Sequence, residues 1–276
     1  MLNPIQNYTY DFFNEFFKEV KDVFKDEYIH LGMDEVYPGC WKSNPDIKDF
    51  MERNGMTKIS EVEQYYVDRT LANVKSMGYK YMIWQDPIDN GVKAAEDTIV
   101  QVWKDKYLDS KLDYWYNYIK DIAAKNYSMV LSAPWYLNYI SYGQSWKKYY
   151  EADPRGFTGT EEQKDLVIGG EACMWGEYVD GTNIIPRLWP SASAVGERLW
   201  SREDVTDVES AKFRLDEQRC RMLRRGIPTQ PILNGYCGDY EWEMYEEKPS
   251  SAHTVYANLT VSVFVSLVCL IYTGIF

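Results

Sequence analysis

YIHLGMDEV, residues 28–36, reads as a short strand that runs out into two adjacent carboxylates. Tyr28-Ile29-His30-Leu31-Gly32 is a compact run without helical spacing, predicted to be a buried strand, and Asp34 and Glu35 stand at its exit. Before it, Phe13, Phe16, Val20 and Val23 recur at helical spacing. After it, beyond Pro45, a second stripe of Ile59, Val62, Tyr66 and Val74 predicts a helix that Gly78 stops. Residues 79–84 form a second strand, and residues 98–103, behind the turn residues Asp89-Asn90-Gly91, a third. A helix over about 112–125 leads to a fourth strand at 129–132. A polar loop and a short helix lead to the last strand, 166–173, and two helices, about 186–199 and 208–225, close the array.

Strands alternating with helices predict a parallel α/β architecture. Five strands are too few to fill an eight-stranded barrel, so the expectation is the C-terminal part of a (β/α)8 TIM-type barrel. In such a barrel chemistry collects at the C-terminal strand ends. Here those ends carry Asp34-Glu35, Trp84-Gln85-Asp86, Trp103, Pro134-Trp135-Tyr136 and Trp175-Gly176-Glu177. Carboxylates and large aromatics at five separate exits point to one shared site; the competing reading is that each Trp only caps the barrel core.

The composition narrows the partners. With 42 acidic against 30 basic residues, and no basic cluster longer than Arg224-Arg225, nucleic acid is excluded as a partner class. Ten tryptophans and 24 tyrosines suit sugar binding, because rings stack on the apolar faces of sugars while their polar tips bond hydroxyls. Five cysteines and two histidines, with no C-x-x-C pair and no His-x-x-x-His, supply no zinc ligand set, so neither metal nor cofactor is expected. Cys220 and Cys237 flank a turn-rich stretch with Pro228, Pro231 and Gly235, a loop that a disulfide would close. Sequons at Asn7-Tyr8-Thr9, Asn126-Tyr127-Ser128 and Asn258-Leu259-Thr260 agree with a secretory route.

Two terminal features bear on location. No signal peptide opens the chain, and a secretory protein that begins in mid-pattern is expected to be truncated. The end, VYANLTVSVFVSLVCLIYTGIF over 255–276, is uncharged and about the length that crosses a bilayer. Ser250, Ser251 and Ala252 precede it in the manner of a lipid-anchor attachment signal, although the spacer is short for one. Anchor signal, retained spanning helix and buried core helix all remain open. The expected location is the secretory pathway, either lysosomal or membrane-anchored at the cell surface.

Adjacent carboxyls at a strand exit repel each other's ionisation, which favours one as a protonated acid. Glycoside cleavage needs such an acid for the leaving oxygen and a second group to stabilise the oxocarbenium-like centre. Taken alone, an Asp-Glu pair is more often a pair of solvated loop charges.

Longer motifs sharpen the reading. His30-Leu31-Gly32-Met33-Asp34-Glu35-Val36 with Cys40-Trp41-Lys42-Ser43-Asn44-Pro45 resembles the catalytic strand of animal lysosomal β-hexosaminidases, family 20 glycoside hydrolases. Ala133-Pro134-Trp135-Tyr136-Leu137 and Gly169-Gly170-Glu171-Ala172-Cys173-Met174-Trp175-Gly176-Glu177 resemble that family's pocket motifs, and Ala194-Val195-Gly196-Glu197-Arg198-Leu199-Trp200 its closing helix. The resemblance spans nearly residues 1–245, assigned to the C-terminal part of the catalytic barrel; 246–258 form a polar spacer and 259–276 the hydrophobic tail.

The resemblance implies an exo-acting β-N-acetylhexosaminidase in which the substrate's own acetamido oxygen is the nucleophile, an exception to the two-carboxylate scheme. It implies Glu35 as general acid/base and Asp34 as the group that orients the acetamido nitrogen and stabilises the oxazolinium-like intermediate. Tyr136 would bond the acetamido carbonyl oxygen. Trp175 would stack on the sugar ring, and Trp84 and Trp103 would enclose the acetamido methyl. Glu177 would bind hydroxyls, and Asn138 sits where the family tunes charge preference. The implied partners are glycans or glycolipids ending in N-acetylhexosamine; whether a homodimer forms is left open.

Two departures stand out. Met33 occupies a position where the family usually has Gly, and the family's first barrel strands, with a sugar-binding Arg and a His and Asp that assist the acid, have no counterpart, nor has the small α+β domain that precedes them. A non-catalytic sugar-binding protein on a degenerate barrel is therefore the rival reading. A hydrolase using Asp34 as covalent nucleophile is a third, at odds with two consecutive carboxylates. His30 and Cys173 are expected to be structural core residues.

Overall fold

The computed structural model describes residues 2–105, 115–141, 143–233 and 235–238. The chain runs α1 (Asn7–Val23), β1 (Tyr28–His30), α2 (Pro38–Ser43), α3 (Pro45–Arg53), α4 (Ile59–Ser76), β2 (Lys80–Trp84), α5 (Asp86–Asp89), β3 (Ile99–Val102), α6 (Tyr116–Ala123) and β4 (Ser128–Leu131). It continues through a 3-10 turn (Ala133–Trp135), α7 (Trp146–Glu151), α8 (Glu161–Lys164), β5 (Val167–Gly170), α9 (Ile184–Leu188), α10 (Ser191–Trp200) and α11 (Val208–Arg224). The strands form one parallel sheet in the order β1-β2-β3-β4-β5, with Trp84 opposite Gln101 and Val102 opposite Leu131. This is the predicted parallel architecture, and it puts every strand exit on one edge.

Alternation along the strands decides which face is covered. Tyr81, Ile83, Val100, Val102, Met129 and Leu131 are buried and pack with Val67, Leu71 and Val74 of α4 and Ile119 and Ile122 of α6. Side chains two residues apart share a face, so the intervening residues point the other way. On that inner face Tyr28 of the outer strand is 43% exposed, while Ile99 and Gln101 of the central strand β3 are buried. The expectation of a buried strand at 28–32 is thereby corrected. Tyr28 and His30 are exposed and Ile29 half-buried, because β1 is an outer strand that, among the described residues, pairs with β2 alone.

Local signals explain the helix limits. Gly78, at φ +79°, ends α4 as its position predicted, since glycine adopts left-handed backbone without a Cβ penalty. At the other end the Glu61 carboxylate accepts the Lys58 backbone N–H at 2.7 Å. Asn44 caps α3 by accepting the Asp46 N–H at 2.9 Å, and Asp207 caps α11. The expected helix over 186–199 is two helices, α9 and α10, because Pro190 has no N–H to continue the ladder. The last strand stops at Gly170 rather than 173; Cys173 instead forms a single bridge with Tyr136. Helices α2 and α3 were not anticipated, and their Pro38 and Pro45 are first-turn prolines, not breakers.

Cys220 and Cys237 are joined, with an S–S distance of 2.06 Å, tying α11 to the segment after it. Cys173 is a buried free thiol whose pKa burial pushes up to about 11. Asn7 and Asn126 are both exposed. Among the described residues no helix is long and apolar enough to cross a membrane. The 246–258 spacer, the Asn258 sequon, the 259–276 tail and the first residues of the helix expected over 112–125 lie outside the described residues.

Candidate functional site

The segment after β1 continues the sheet for two more bonds: Leu31 N–H donates to the Met82 carbonyl and Trp84 N–H to the Gly32 carbonyl, both at 2.9 Å. It then turns through left-handed backbone at Gly32 (φ +69°), Met33 (φ +74°) and Glu35 (φ +48°). Outside glycine this conformation costs roughly 1–2 kcal/mol per residue, and it persists only where surroundings over-determine it. Asp34 and Glu35 emerge from this turn with exposed side chains.

Met33 shows what holds the turn. Its side chain is 8% exposed and belongs to the main core cluster, so it is packed beneath the carboxylates instead of crowding them. Met33→Gly should therefore destabilise the protein. Relief of the left-handed strain returns about 1–2 kcal/mol, whereas deleting a buried Met side chain costs about 2–5 kcal/mol or more. A denaturant midpoint above wild type would reverse that ranking.

Around the carboxylates the exits of β2, β3, β4 and β5 present connected rings. Ring centroids of Trp84 lie 6.3 Å from those of both Trp103 and Trp175, and Trp103 lies 6.4 Å from Tyr136. Tyr136 lies 5.5 Å from Tyr139. The Tyr136 phenol is held far above its ordinary range, first by burial, then by the nearby Cys173; the charges of Tyr139 and Asp34 add to this, and a hydrogen bond with Trp175 opposes it. At neutral pH it is a protonated donor within electrostatic reach of Asp34. A donor phenol, two accessible carboxylates and a wall of indoles can grip a neutral amide, expose its apolar methyl to rings and supply a proton beside it.

Not every expected residue joins this group. Trp84, Trp103, Trp175 and Tyr136 are in mutual contact, and Asp34 is close to Tyr136. Glu177 is exposed and near Tyr139, at the rim. Asn138 is tied through its backbone: Arg187 donates to its carbonyl at 3.3 Å, while its amide oxygen is buried without a hydrogen bond.

His30 is the one expectation of burial that fails at the site itself. It is exposed on the inner face, with its ring 4.8 Å from Trp84 and its Nδ1 accepting the Gly32 N–H at 3.0 Å. It buttresses both the carboxylate-bearing turn and an indole. Its pKa is lowered, first by desolvation against these neighbours, with a Gln101 hydrogen bond and the charges of Glu171 and Asp34 opposing. Since the folded value lies below the ordinary 6.5, the unfolded chain binds more protons between the two, and stability should fall as pH drops through that window. Melting temperature followed from pH 7.5 to 5 should decline less for His30→Gln than for wild type; parallel curves would remove His30 from the account.

Sequence reasoning quoted Gln85 and Asp86 at a strand exit but gave them no role, and it passed over Lys104. The Gln85 Oε1 accepts the backbone N–H groups of Trp103 and Lys104 at 2.9 and 3.0 Å, stitching two exits together. The available signal was adjacency: strands β2 and β3 are consecutive and parallel, so polar residues just past Trp84 must face those just past Val102.

A parallel α/β sheet whose exits gather paired carboxylates and stacked rings has the ground plan of a glycoside-hydrolase catalytic domain. The chain belongs to glycosyl hydrolase family 20, whose catalytic-domain pattern matches residues 1–203. It is 51% identical over 243 residues to the β-hexosaminidase subunit beta of Felis catus, covering 88% of this chain and 44% of that protein. It is 50% identical over 237 residues to the human subunit beta, covering 86% and 41%. The chain thus spans less than half the length of these relatives. Among solved structures, a Flavobacterium johnsoniae chitobiase superimposes with a TM-score of 0.72 at 29% identity, over 82% of this chain and 34% of that one. A Vibrio harveyi exo-β-N-acetylglucosaminidase shares the fold at the same TM-score and 20% identity, covering 85% and 37%.

Proposed function

We propose that this chain carries the acid/base part of an exo-acting β-N-acetylhexosaminidase site, which removes terminal β-linked N-acetyl-D-hexosamine from glycoconjugates with substrate assistance. The observation that carries the reading is the indole and phenol enclosure of Trp84, Trp103, Trp175 and Tyr136 beside the Asp34-Glu35 exit. Glu35 protonates the leaving oxygen as the bond to C1 breaks, and the acetamido oxygen closes on C1. Asp34 stabilises the positive charge of that ring, and Tyr136 donates to the acetamido oxygen. Glu35 then takes a proton from the water that opens the intermediate. Trp175 stacks on the sugar, Trp84 and Trp103 enclose the methyl, Glu177 binds hydroxyls at the rim, and Asn138 tunes charge preference.

Paired assays test the reading. p-Nitrophenyl N-acetyl-β-glucosaminide should be hydrolysed and the matching β-glucoside, which lacks the acetamide, should not. Equal turnover of both would remove the acetamide from the mechanism. A second reading, sugar binding without turnover, is favoured by the exposed Asp34 and Glu35 carboxylates. Calorimetric binding of N-acetylglucosamine with no hydrolysis would select it.

Glycans and glycolipids ending in N-acetylhexosamine are the proposed substrates. Likeness to proteins named as subunits motivates a homodimer. The disulfide and the exposed sequon residues Asn7 and Asn126 support passage through the secretory pathway, towards a lysosomal or cell-surface location. The uncharged 259–276 segment is proposed to hold the protein at a membrane. Deleting residues 253–276 should shift the protein from the membrane fraction to the medium, and unchanged fractionation would eliminate the anchor.

A further inference from the structure

Among the carboxylates near the strand exits, Asp86 is buried, 6% exposed, at the start of α5. One of its oxygens, Oδ1, accepts the backbone N–H of Glu35 at 3.3 Å and lies 3.1 Å from the Lys104 ammonium. The other, Oδ2, accepts the indole N–H of Trp103 at 2.7 Å. Lys104 also donates to Asp89 at 2.7 Å, and Gln85 to the same Asp89 oxygen at 3.1 Å. A single carboxylate therefore touches the left-handed residue that bears the proposed acid, the indole that walls the proposed acetamide pocket, and a shared cation.

We propose that Asp86 is a positioning residue: it clamps the Glu35 turn against Trp103, with Lys104 holding its charge in place. The inference deepens the hexosaminidase reading and rests on it for its consequence in catalysis. Its physical basis is independent. Glu35 has φ +48°, a conformation that needs an external restraint, and Asp86 is its one side-chain restraint among the described residues. Loss of the clamp frees the acid by a fraction of an ångström to an ångström, and misplacement on that scale costs about 100-fold in rate.

The geometry makes an unusual demand on the isosteric variant. Both oxygens of Asp86 accept from N–H donors, so the amide of Asp86→Asn must turn its own NH2 towards either Glu35 N–H or Trp103 Nε1–H. A side chain needed only to fill space would tolerate that change. A clamp would not, so Asp86→Asn should lose kcat nearly as severely as Asp86→Ala, about 100-fold. Asp86→Glu keeps two acceptor oxygens and should recover part of the loss. KM should change less than kcat for Lys104→Met, which leaves both N–H bonds possible but removes the cation.

The deciding experiment compares the full chain, wild type and variants, by kinetics on N,N′-diacetylchitobiose, whose sugar leaving group needs the Glu35 proton, and by 15N-resolved NMR of the Trp103 indole and Glu35 amide. Trp103→Phe assigns the indole line. In Asp86→Asn both resonances should move, with the indole proton shifting upfield as its carboxylate bond is lost, while the Trp41 indole stays. Unmoved Trp103 and Glu35 lines, or an Asp86→Asn enzyme with wild-type kcat, would overturn the clamp. A wild type that shows the indole shift on mutation yet never turns over the glycoside upholds the clamp and overturns the hydrolase reading instead.

Discussion

Glu35→Gln and Asp34→Asn should both cripple turnover, with different dependence on the leaving group. Glutamine cannot donate a proton, so hydrolysis of glycosides with poor leaving groups should fall by about 100- to 10,000-fold. Activated aryl glycosides, whose oxygen needs little protonation, should lose far less. Asparagine keeps the shape of Asp34 and removes the charge that stabilises the cationic ring, so its loss should persist across leaving groups, at about 100- to 1,000-fold. A thiazoline mimic of that ring should inhibit wild type strongly and Asp34→Asn weakly, because the differential interaction lies in the charge. Should a fluorosugar trap a covalent ester on Asp34, substrate assistance gives way to the nucleophilic scheme. The position of Tyr136, a buried donor phenol near Asp34, is the reason to expect the former.

Gly170→Ala should be the most damaging single methyl in the fold, and Gly169→Ala next to it should be harmless. A Cβ at Gly170 would lie 2.2 Å from Cζ3 of Trp135 and 2.9 Å from Cδ2 of Leu199. Leu199 can swing away. Trp135 cannot, since it is fully buried and its indole N–H donates to the Tyr149 carbonyl at 2.9 Å. Overpacking of this kind costs typically 1–3 kcal/mol, and a rigid ring places it at the upper end. For a domain of this size that is a fall in melting temperature of about 6–12 °C. At Gly169 nothing lies within 4 Å of the added methyl, so the effect should be neutral or a gain of up to about 1 kcal/mol. Equal losses at both positions would point to the backbone rather than to Trp135. Because Tyr136 follows Trp135 directly, the Gly170 variant should also weaken binding at the site.

The alternation of apolar runs and helical stripes made β2, β3 and β4 legible, because their covered faces carry Tyr81, Ile83, Val100, Val102, Met129 and Leu131 in strict period two. Burial of β1 was not legible: YIH is apolar enough for an interior strand, and only the sheet order reveals that it lies at the margin. The break at Pro190 was a local signal left unread, since a proline cannot continue the helical ladder; Pro38 and Pro45 were ambiguous, because a proline reads equally as a breaker or as a helix start. Within the site, the rings and the two carboxylates stood out by type and by their place at strand exits. Asp86 and Lys104 did not, since a buried ion pair looks the same in sequence as two solvated charges. The left-handed turn at Met33 and Glu35 gave no signal either, because neither residue type favours it.

The sheet terminates in β1 and β5, each hydrogen-bonded on one side only among the described residues. Such margins are templates on which another copy can add its own strand at a spacing of about 4.8 Å. Every copy also carries a formal charge of −12 at pH 7, so two approaching molecules repel. The reach of that repulsion belongs to the solvent: about 10 Å at 0.1 M salt and about 3 Å at 1 M. In dilute salt the copies are turned back before their margins can register; in concentrated salt the charges are screened and the margins can meet. Colloidal behaviour is thus governed by the buffer, and the acidity of this surface keeps the sheet margins of separate copies apart.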